Sequence, residues 1–160
     1  MTKPTWILVA DRARARILET AAGSTPVEIA CFSEPDARAG EATLTTDRPP
    51  TVNESVGGAR HSIEPHTPIR DKITKRFARV LCDALEKGHN EGRFEQLVLV
   101  APPRFLGALH AALGKPLRER VAREIPHDLT ALPAHDLNAR LLAAIPRGRS
   151  AVDRPSGDKM

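Results

Sequence analysis

Three strands are predicted within residues 6–32, which read WILVADRARARILETAAGSTPVEIACF. Trp6 to Ala10 is a continuous apolar run of strand length, as expected for a central strand. Residues 13–19 then alternate, with arginines on one face and alanine or isoleucine on the other, and Val27 to Phe32 has the composition of a third strand. Because residues 20–26 are turn-forming and the connections are short, the three strands are predicted to form an antiparallel meander.

The second half of the chain alternates helical and strand-like segments. Thr67-Pro68 has the residue types of an N-cap and a first helical position, and a helical period follows until Gly88, which is predicted to end the helix. Leu97 to Ala101 is purely apolar and predicts a second buried strand. The remaining predicted elements are a helix from Pro102, a short helix over 116–123, an edge strand over 124–129 and a final helix from Pro133.

This order of elements predicts an α/β fold of ribonuclease-H-like topology: a three-strand antiparallel meander plus two parallel strands with flanking helices. The runs Trp6–Ala10 and Leu97–Ala101 are expected to be adjacent and parallel. Residues 1–145 are predicted to form one domain, and the polar residues 146–160 a disordered tail. Between Ser33 and His66 no hydrophobic period is found, which predicts a long loop before the first main helix.

Composition narrows the classes of partner and compartment. The net charge of +4 permits contact with RNA or the ribosome, whereas only 3% aromatic residues disfavours a protein that stacks single-stranded bases on exposed rings. Cys31 and Cys82 have no CxxC spacing, so two reduced thiols are expected, with no cofactor or metal site. No run resembles a signal peptide or a membrane span, so a cytoplasmic location is predicted. The oligomeric state is left open.

Basic residues are concentrated around the start of the first main helix. Lys72, Arg76 and Arg79 follow i, i+4, i+7 spacing and therefore share one helix face, which is either a solvated face or a phosphate-binding surface. The preceding loop carries Gly57-Gly58, whose backbone can approach a partner closely. The candidate binding residues are Gly57, Gly58, Arg60, Lys72, Arg76 and Arg79, with Arg14, Arg16 and Arg104 as candidates to extend the same surface.

Catalytic candidates are few. A metal-dependent nuclease needs three or four converging carboxylates, and only Asp11 and Asp128 are suitably placed at strand ends. The alternative for Asp11 is a turn residue. His61 and His66 have no spacing typical of a metal site, and no nucleophile–base pair can be assigned. The sequence therefore favours a protein without enzymatic activity but leaves the question open.

Several motifs, in order, resemble the bacterial host attachment family, the proteins required for attachment to host cells. The resemblance covers roughly residues 4 to 145. The motifs are residues 6–18, Leu44-Thr45-Thr46-Asp47-Arg48-Pro49, Gly57-Gly58 with Arg60-His61, Arg76-Phe77-Ala78, residues 97–107 and Asp128-Leu129-Thr130.

That family is similar in turn to the middle domain of archaeo-eukaryotic peptide-release factors. In those factors a Gly-Gly-Gln loop enters the peptidyl-transferase centre and an Arg-Phe-Ala-Arg helix follows. Gly57 and Gly58 match the two glycines and residues 76–79 match the helix, but Ala59 stands in place of the glutamine. The resemblance therefore implies a non-catalytic module that binds ribosome or RNA. The alternatives are a protein-interaction factor for cell attachment or the envelope, and, less favoured, a metal-dependent nuclease or a peptidyl-tRNA hydrolase.

Overall fold

The computed structural model describes residues 3–21, 24–37 and 66–145. The strands are β1 (Thr5–Ala10), β2 (Arg14–Thr20), β3 (Val27–Ser33), β4 (Gln96–Val100) and β5 (Val121–Ile125). The helices are α1 (His66–Asn90), α2 (Pro103–Ala112), α3 (Lys115–Arg118) and α4 (Ala134–Ala144). The predicted tail 146–160 and most of the predicted loop lie outside the described residues. At the loop's beginning, residues 35–37 are helical.

The five strands form one sheet in the order β3-β2-β1-β4-β5. β1 pairs antiparallel with β2 and parallel with β4, with Leu8 opposite Ile17 and Leu99. β2 also pairs antiparallel with β3, and β4 parallel with β5. The predicted α/β fold is thus confirmed: it is ribonuclease-H-like, with an antiparallel meander followed by parallel strands.

The sheet separates two apolar cores, because alternate side chains of a strand point to opposite faces. On one face, Trp6 and Leu8 of β1 pack with Phe77 and Leu81 of α1 and with residues of α2 and α3. On the other face, Ile7 and Val9 of β1 pack with two leucines of α4. Burial on both faces explains why β1 and β4 are continuous apolar runs in the sequence. Each fully buried leucine or isoleucine contributes about 1.5–3 kcal/mol of hydrophobic free energy.

Helix α1 passes through Gly88 and ends two residues later, so the predicted stop at Gly88 was wrong. The residue that ends the helix is Gly92, whose φ of 68° is left-handed. Its N–H donates to the carbonyl of His89 at 2.9 Å, and the N–H of Arg93 donates to the carbonyl of Gly88 at 2.9 Å. These two bonds form a Schellman motif. Gly88 has a different role, since a Cβ there would lie 2.4 Å from Cη2 of Trp6.

The last strand also differs from its prediction. Residues 121–123, predicted to be helical, belong to β5, and α3 is confined to Lys115–Arg118. β5 then ends at Ile125, so Asp128 lies in the loop after the strand and not within it. Pro126 marks the end of the pairing, because proline has no N–H to donate to a neighbouring strand.

Candidate nucleic-acid interface

Helix α1 presents its charged face away from the sheet. Phe77, Leu81 and Leu85 are buried in the core between helix and sheet. The opposite face carries exposed cationic side chains, namely Lys72, Lys75, Arg76 and Arg79. The helical spacing predicted from the sequence therefore holds, and these side chains lie along about two turns of one solvent-facing surface.

Arg76 differs from its neighbours because its guanidinium binds two carboxylates of the same chain. Its Nη2 donates to Glu34 Oε1 at 3.1 Å and to Asp36 Oδ2 at 2.7 Å. The hydrogen bonds to Asp36 and then Glu34 raise the pKa of Arg76 above its ordinary value. Glu34 also accepts a bond from the N–H of Asp36, at the start of the helical residues 35–37. Arg76 thus fastens the chain that follows β3 to α1.

The other three cations of this face are available for an external ligand. Lys72, Lys75 and Arg79 are exposed, and within the described part of the chain no carboxylate lies within ion-pair distance of any of them. We call these three residues the α1 basic surface. Because no ion pair with residues 3–21, 24–37 or 66–145 neutralises them, an anion bound there would displace no ion pair of that part of the chain.

The remaining arginines predicted to extend this surface lie in two places. Arg104 is exposed at the start of α2, next to Phe105, whose ring centroid is 6.0 Å from that of Phe77 in α1. It therefore lies on the same side of the sheet as the α1 basic surface. Arg14 and Arg16 project from the opposite side, since the intervening Ala15 belongs to the core beneath α1 and α2.

Arg16 is also occupied by bonds within the chain. Its Nη2 is 2.9 Å from Glu28 Oε2, and its Nη1 donates to the carbonyl of Leu132 at 3.1 Å. Arg14 Nε lies 3.7 Å from Asp11 Oδ2. Gly57, Gly58 and Arg60, the other predicted binding residues, lie outside the described residues.

All five aromatic side chains of the chain are within its described part, and they are used by the core. Trp6, Phe77, Phe94 and Phe105 are buried, and Phe32 is half-buried against the same core. Trp6 and Phe94 stack with ring centroids 4.7 Å apart. No fully exposed ring is therefore offered on which a nucleic-acid base could stack, and an anion at the α1 basic surface would be held by charge and hydrogen bonds.

The two candidate catalytic carboxylates are brought together by Thr130. Its Oγ1 lies 2.8 Å from Asp11 Oδ2 and 2.6 Å from Asp128 Oδ1, so its hydroxyl can donate to either. Asp11 Oδ1 also accepts the N–H groups of Ala13 and Arg14, both at 2.8 Å. These are the bonds of a turn residue, as the alternative interpretation of Asp11 required.

No group of three or more potential metal ligands of the His, Cys, Asp and Glu types occurs among residues 3–21, 24–37 and 66–145. Through its hydrogen bonds to the two carboxylates, the buried Thr130 hydroxyl connects the β1–β2 turn to the loop after β5. The sequence analysis includes Thr130 in a motif of the family resemblance but assigns it no role in the site. The signal that could have indicated it is the Asp-x-Thr spacing, in which an aspartate accepts the backbone N–H two residues later, here at 3.1 Å.

Comparison with known proteins identifies the family to which the chain belongs. A model of the family described as "Protein required for attachment to host cells" matches residues 6–141. The chain belongs to this family. An uncharacterised protein of Rickettsia prowazekii (strain Madrid E) is 34% identical over 79 residues, which are 48% of this chain and 51% of that protein. The host attachment chain therefore spans about half the length of this curated relative.

A crystal structure of an archaeal translation termination factor superposes on this host attachment protein with a TM-score of 0.45 and 11% sequence identity. The superposition covers 88% of this chain and 38% of that one. In the described part of the chain, no helix is both long enough and apolar enough to cross a lipid bilayer.

Proposed function

We propose that this host attachment protein binds RNA through the phosphate backbone, using the α1 basic surface. The observation that carries the proposal is that Lys72, Lys75 and Arg79 are exposed together on one helix face with no carboxylate partner among the described residues. Phosphate contacts of this kind supply most of the affinity of non-specific nucleic-acid binding. A cytoplasmic location, which the sequence analysis expects, would suit such a role.

The burial of the aromatic residues supports a phosphate-directed mode of binding. With no fully exposed ring among its five aromatic side chains, the protein would recognise the charge and spacing of the backbone and not the identity of the bases. Ribosomal RNA is the RNA that we favour, because Gly57-Gly58 and the segment 76–79 resemble release-factor motifs in sequence. With alanine at position 59, we propose binding without peptidyl-tRNA hydrolysis.

A second candidate function, protein binding, is favoured by a different observation on the same helix. Ile69 and Val80 are 58% and 46% exposed, and both lie near Arg76 on the surface of α1. Exposed apolar side chains of this size suit a protein partner better than a polyanion. This would fit the description of the family without any nucleic acid.

Fluorescence anisotropy with a labelled single-stranded RNA tests the primary proposal. Arg79→Ala should weaken binding by about tenfold to a hundredfold at low salt, since a hydrogen bond to a charged group contributes about 1.5–3 kcal/mol. Arg140→Ala is the matched control, because Arg140 is also an exposed helical arginine but lies on α4, beneath the opposite face of the sheet. It should leave the affinity unchanged.

Arg76→Ala provides a second comparison on the same helix. It removes the same charge as Arg79→Ala, but from a guanidinium already bound to Glu34 and Asp36. Arg76→Ala should therefore weaken RNA binding less than Arg79→Ala does. In a sedimentation assay with purified ribosomes, the fraction of protein that sediments should fall for Arg79→Ala and stay at the wild-type level for Arg140→Ala. Equal affinities of wild type, Arg79→Ala and Arg140→Ala would refute RNA binding by this surface. Loss of partner binding only in Ile69→Ser and Val80→Ser would favour the protein-binding function.

A further inference from the structure

Two carboxylates of the chain lie against the cationic face of α1. Glu34 and Asp36 follow β3, and both accept hydrogen bonds from Nη2 of Arg76, at 3.1 and 2.7 Å. Arg76 is about one helical turn from Lys72 and from Arg79, so its guanidinium belongs to the same row of cations. The two carboxylates therefore place negative charge beside the α1 basic surface.

The two carboxylates are held in the structure to different degrees. The N–H of Glu34 donates to the carbonyl of Ala13 at 2.8 Å, and the side chain of Glu34 is only 11% exposed. Glu34 is thus fixed to the β1–β2 turn. The side chain of Asp36 is 63% exposed, and that of its partner Arg76 is 54% exposed. An ion pair between side chains as exposed as these is weak, so a competing anion can displace the aspartate.

The contact between Asp36 and Arg76 resembles the contact that RNA binding requires. Guanidinium N–H groups bind carboxylates and phosphates alike, through charge-assisted hydrogen bonds. A phosphate backbone that follows α1 from Lys72 to Arg79 would pass Arg76, whose Nη2 already has an aspartate oxygen 2.7 Å away. Asp36 therefore occupies a position in which a phosphate oxygen of the ligand would bind.

We propose that Asp36 is an autoinhibitory group, which masks Arg76 in the free protein and is displaced by a phosphate of the bound RNA. Arg76 then contacts the backbone as a fourth cation, together with the three of the α1 basic surface. This inference rests on RNA binding by that surface. Glu34 stays bound to Arg76 and positions the guanidinium, because the backbone of Glu34 is fixed by Ala13. The mask keeps the affinity for RNA below that of four free cations.

Fluorescence anisotropy of a labelled oligouridylate with the full chain tests the mask. Asp36→Asn keeps the size of the side chain and removes its charge. The affinity for the RNA at low salt should rise about two- to fivefold, the factor that corresponds to an exposed ion pair. Glu28→Gln is the matched control, because Glu28 is also an exposed carboxylate, with Oε2 2.9 Å from Nη2 of Arg16, on the other side of the sheet from α1. It should leave the affinity unchanged.

A second variant tests whether the gain in affinity acts through Arg76. In an Arg76→Gln background, Asp36→Asn should not raise the affinity for the RNA, since no guanidinium is left to unmask. A gain of the same size in that background would overturn the proposal, because Asp36 would then weaken RNA binding through its charge alone and not by occupying Arg76.

The same assay separates failure of the mask from failure of RNA binding itself. The mask is overturned if wild type binds the RNA, the triple variant Lys72→Ala/Lys75→Ala/Arg79→Ala does not, and Asp36→Asn binds no more tightly than wild type. In that case the α1 basic surface still binds RNA. If wild-type protein and Asp36→Asn both fail to bind the RNA at low salt, the mask and the proposed function are both wrong.

Discussion

Replacing Gly88 by alanine should destabilise the protein, although alanine is the better helix former. In an ordinary helix interior this substitution stabilises by about 1 kcal/mol. Here the new Cβ would lie 2.4 and 2.5 Å from Cη2 and Cζ3 of Trp6 and 3.3 Å from Phe94. The indole cannot easily move away, because it is buried, stacks on Phe94 and hydrogen bonds to Glu19 at 2.9 Å.

Overpacking of a core costs about 1–3 kcal/mol, and contacts this short fall at the upper end of that range. After the gain in helix propensity is subtracted, Gly88→Ala should lower the free energy of unfolding by about 1–2 kcal/mol. For a chain of this size, that corresponds to a melting temperature lower by roughly 2–8 °C.

Gly107→Ala in α2 is the matched control. Gly107 is exposed within the helix, and a Cβ added there would meet nothing within 4 Å. This variant should gain about 0.5–1 kcal/mol, because it reduces the entropy of the unfolded chain without strain. Urea denaturation followed by circular dichroism measures both. The reasoning is refuted if Gly88→Ala is as stable as wild type, or if both substitutions shift stability in the same direction.

Three further predictions concern single side chains. Thr130→Val should lower the free energy of unfolding by about 1.5–3 kcal/mol in a urea titration, because it removes the buried hydroxyl shared by two carboxylates, whereas Thr130→Ser should keep most of the stability. Burial raises the pKa of the Cys82 thiol to about 12. At pH 8 a thiol reagent should therefore modify the exposed Cys31 quickly and Cys82 only after denaturation. Rapid reaction of both thiols in the native protein would contradict the burial of Cys82. Gly92→Ala should cost about 1 kcal/mol because φ is 68° there, and Gly92→Asn should cost less; equal urea midpoints for the two variants would argue against the left-handed cap.

The central strands could be predicted because a strand buried on both faces of the sheet has consecutive apolar residues, and this pattern is visible in the local sequence. Residues 6–10 and 97–100 are unbroken apolar runs, which indicate burial on both faces, and the order of strands and helices along the chain indicated that the two strands are parallel neighbours. The edge strand β5 has no continuous apolar run, since residues 122–124 are exposed and its residues fit a short helix equally well. The strand predicted over 124–129 includes Pro126, interpreted as a sign of an edge strand, whereas the observed strand ends at Ile125, directly before it.

The roles of the two glycines near the end of α1 could not be separated by sequence either. Gly88 and Gly92 both fit a helix stop, and what distinguishes them is the indole of Trp6 from a distant strand. The partners of Arg76 could not be predicted either, because they lie 40 and 42 residues away in the sequence and only the fold brings them to the helix. Helical spacing predicted which cations share a face, but only the fold determines which of them are already neutralised.

The salt dependence of RNA binding tests the proposed function most directly. The logarithm of the binding constant should fall linearly with the logarithm of the salt concentration, with a slope of about −0.7 for each single-strand phosphate contacted. Wild type and the triple variant Lys72→Ala/Lys75→Ala/Arg79→Ala should therefore differ in slope by about 2 units. Arg140→Ala should keep the wild-type slope. A triple variant whose slope equals that of wild type, or wild-type protein that retains no RNA at low salt, would contradict RNA binding by the α1 basic surface.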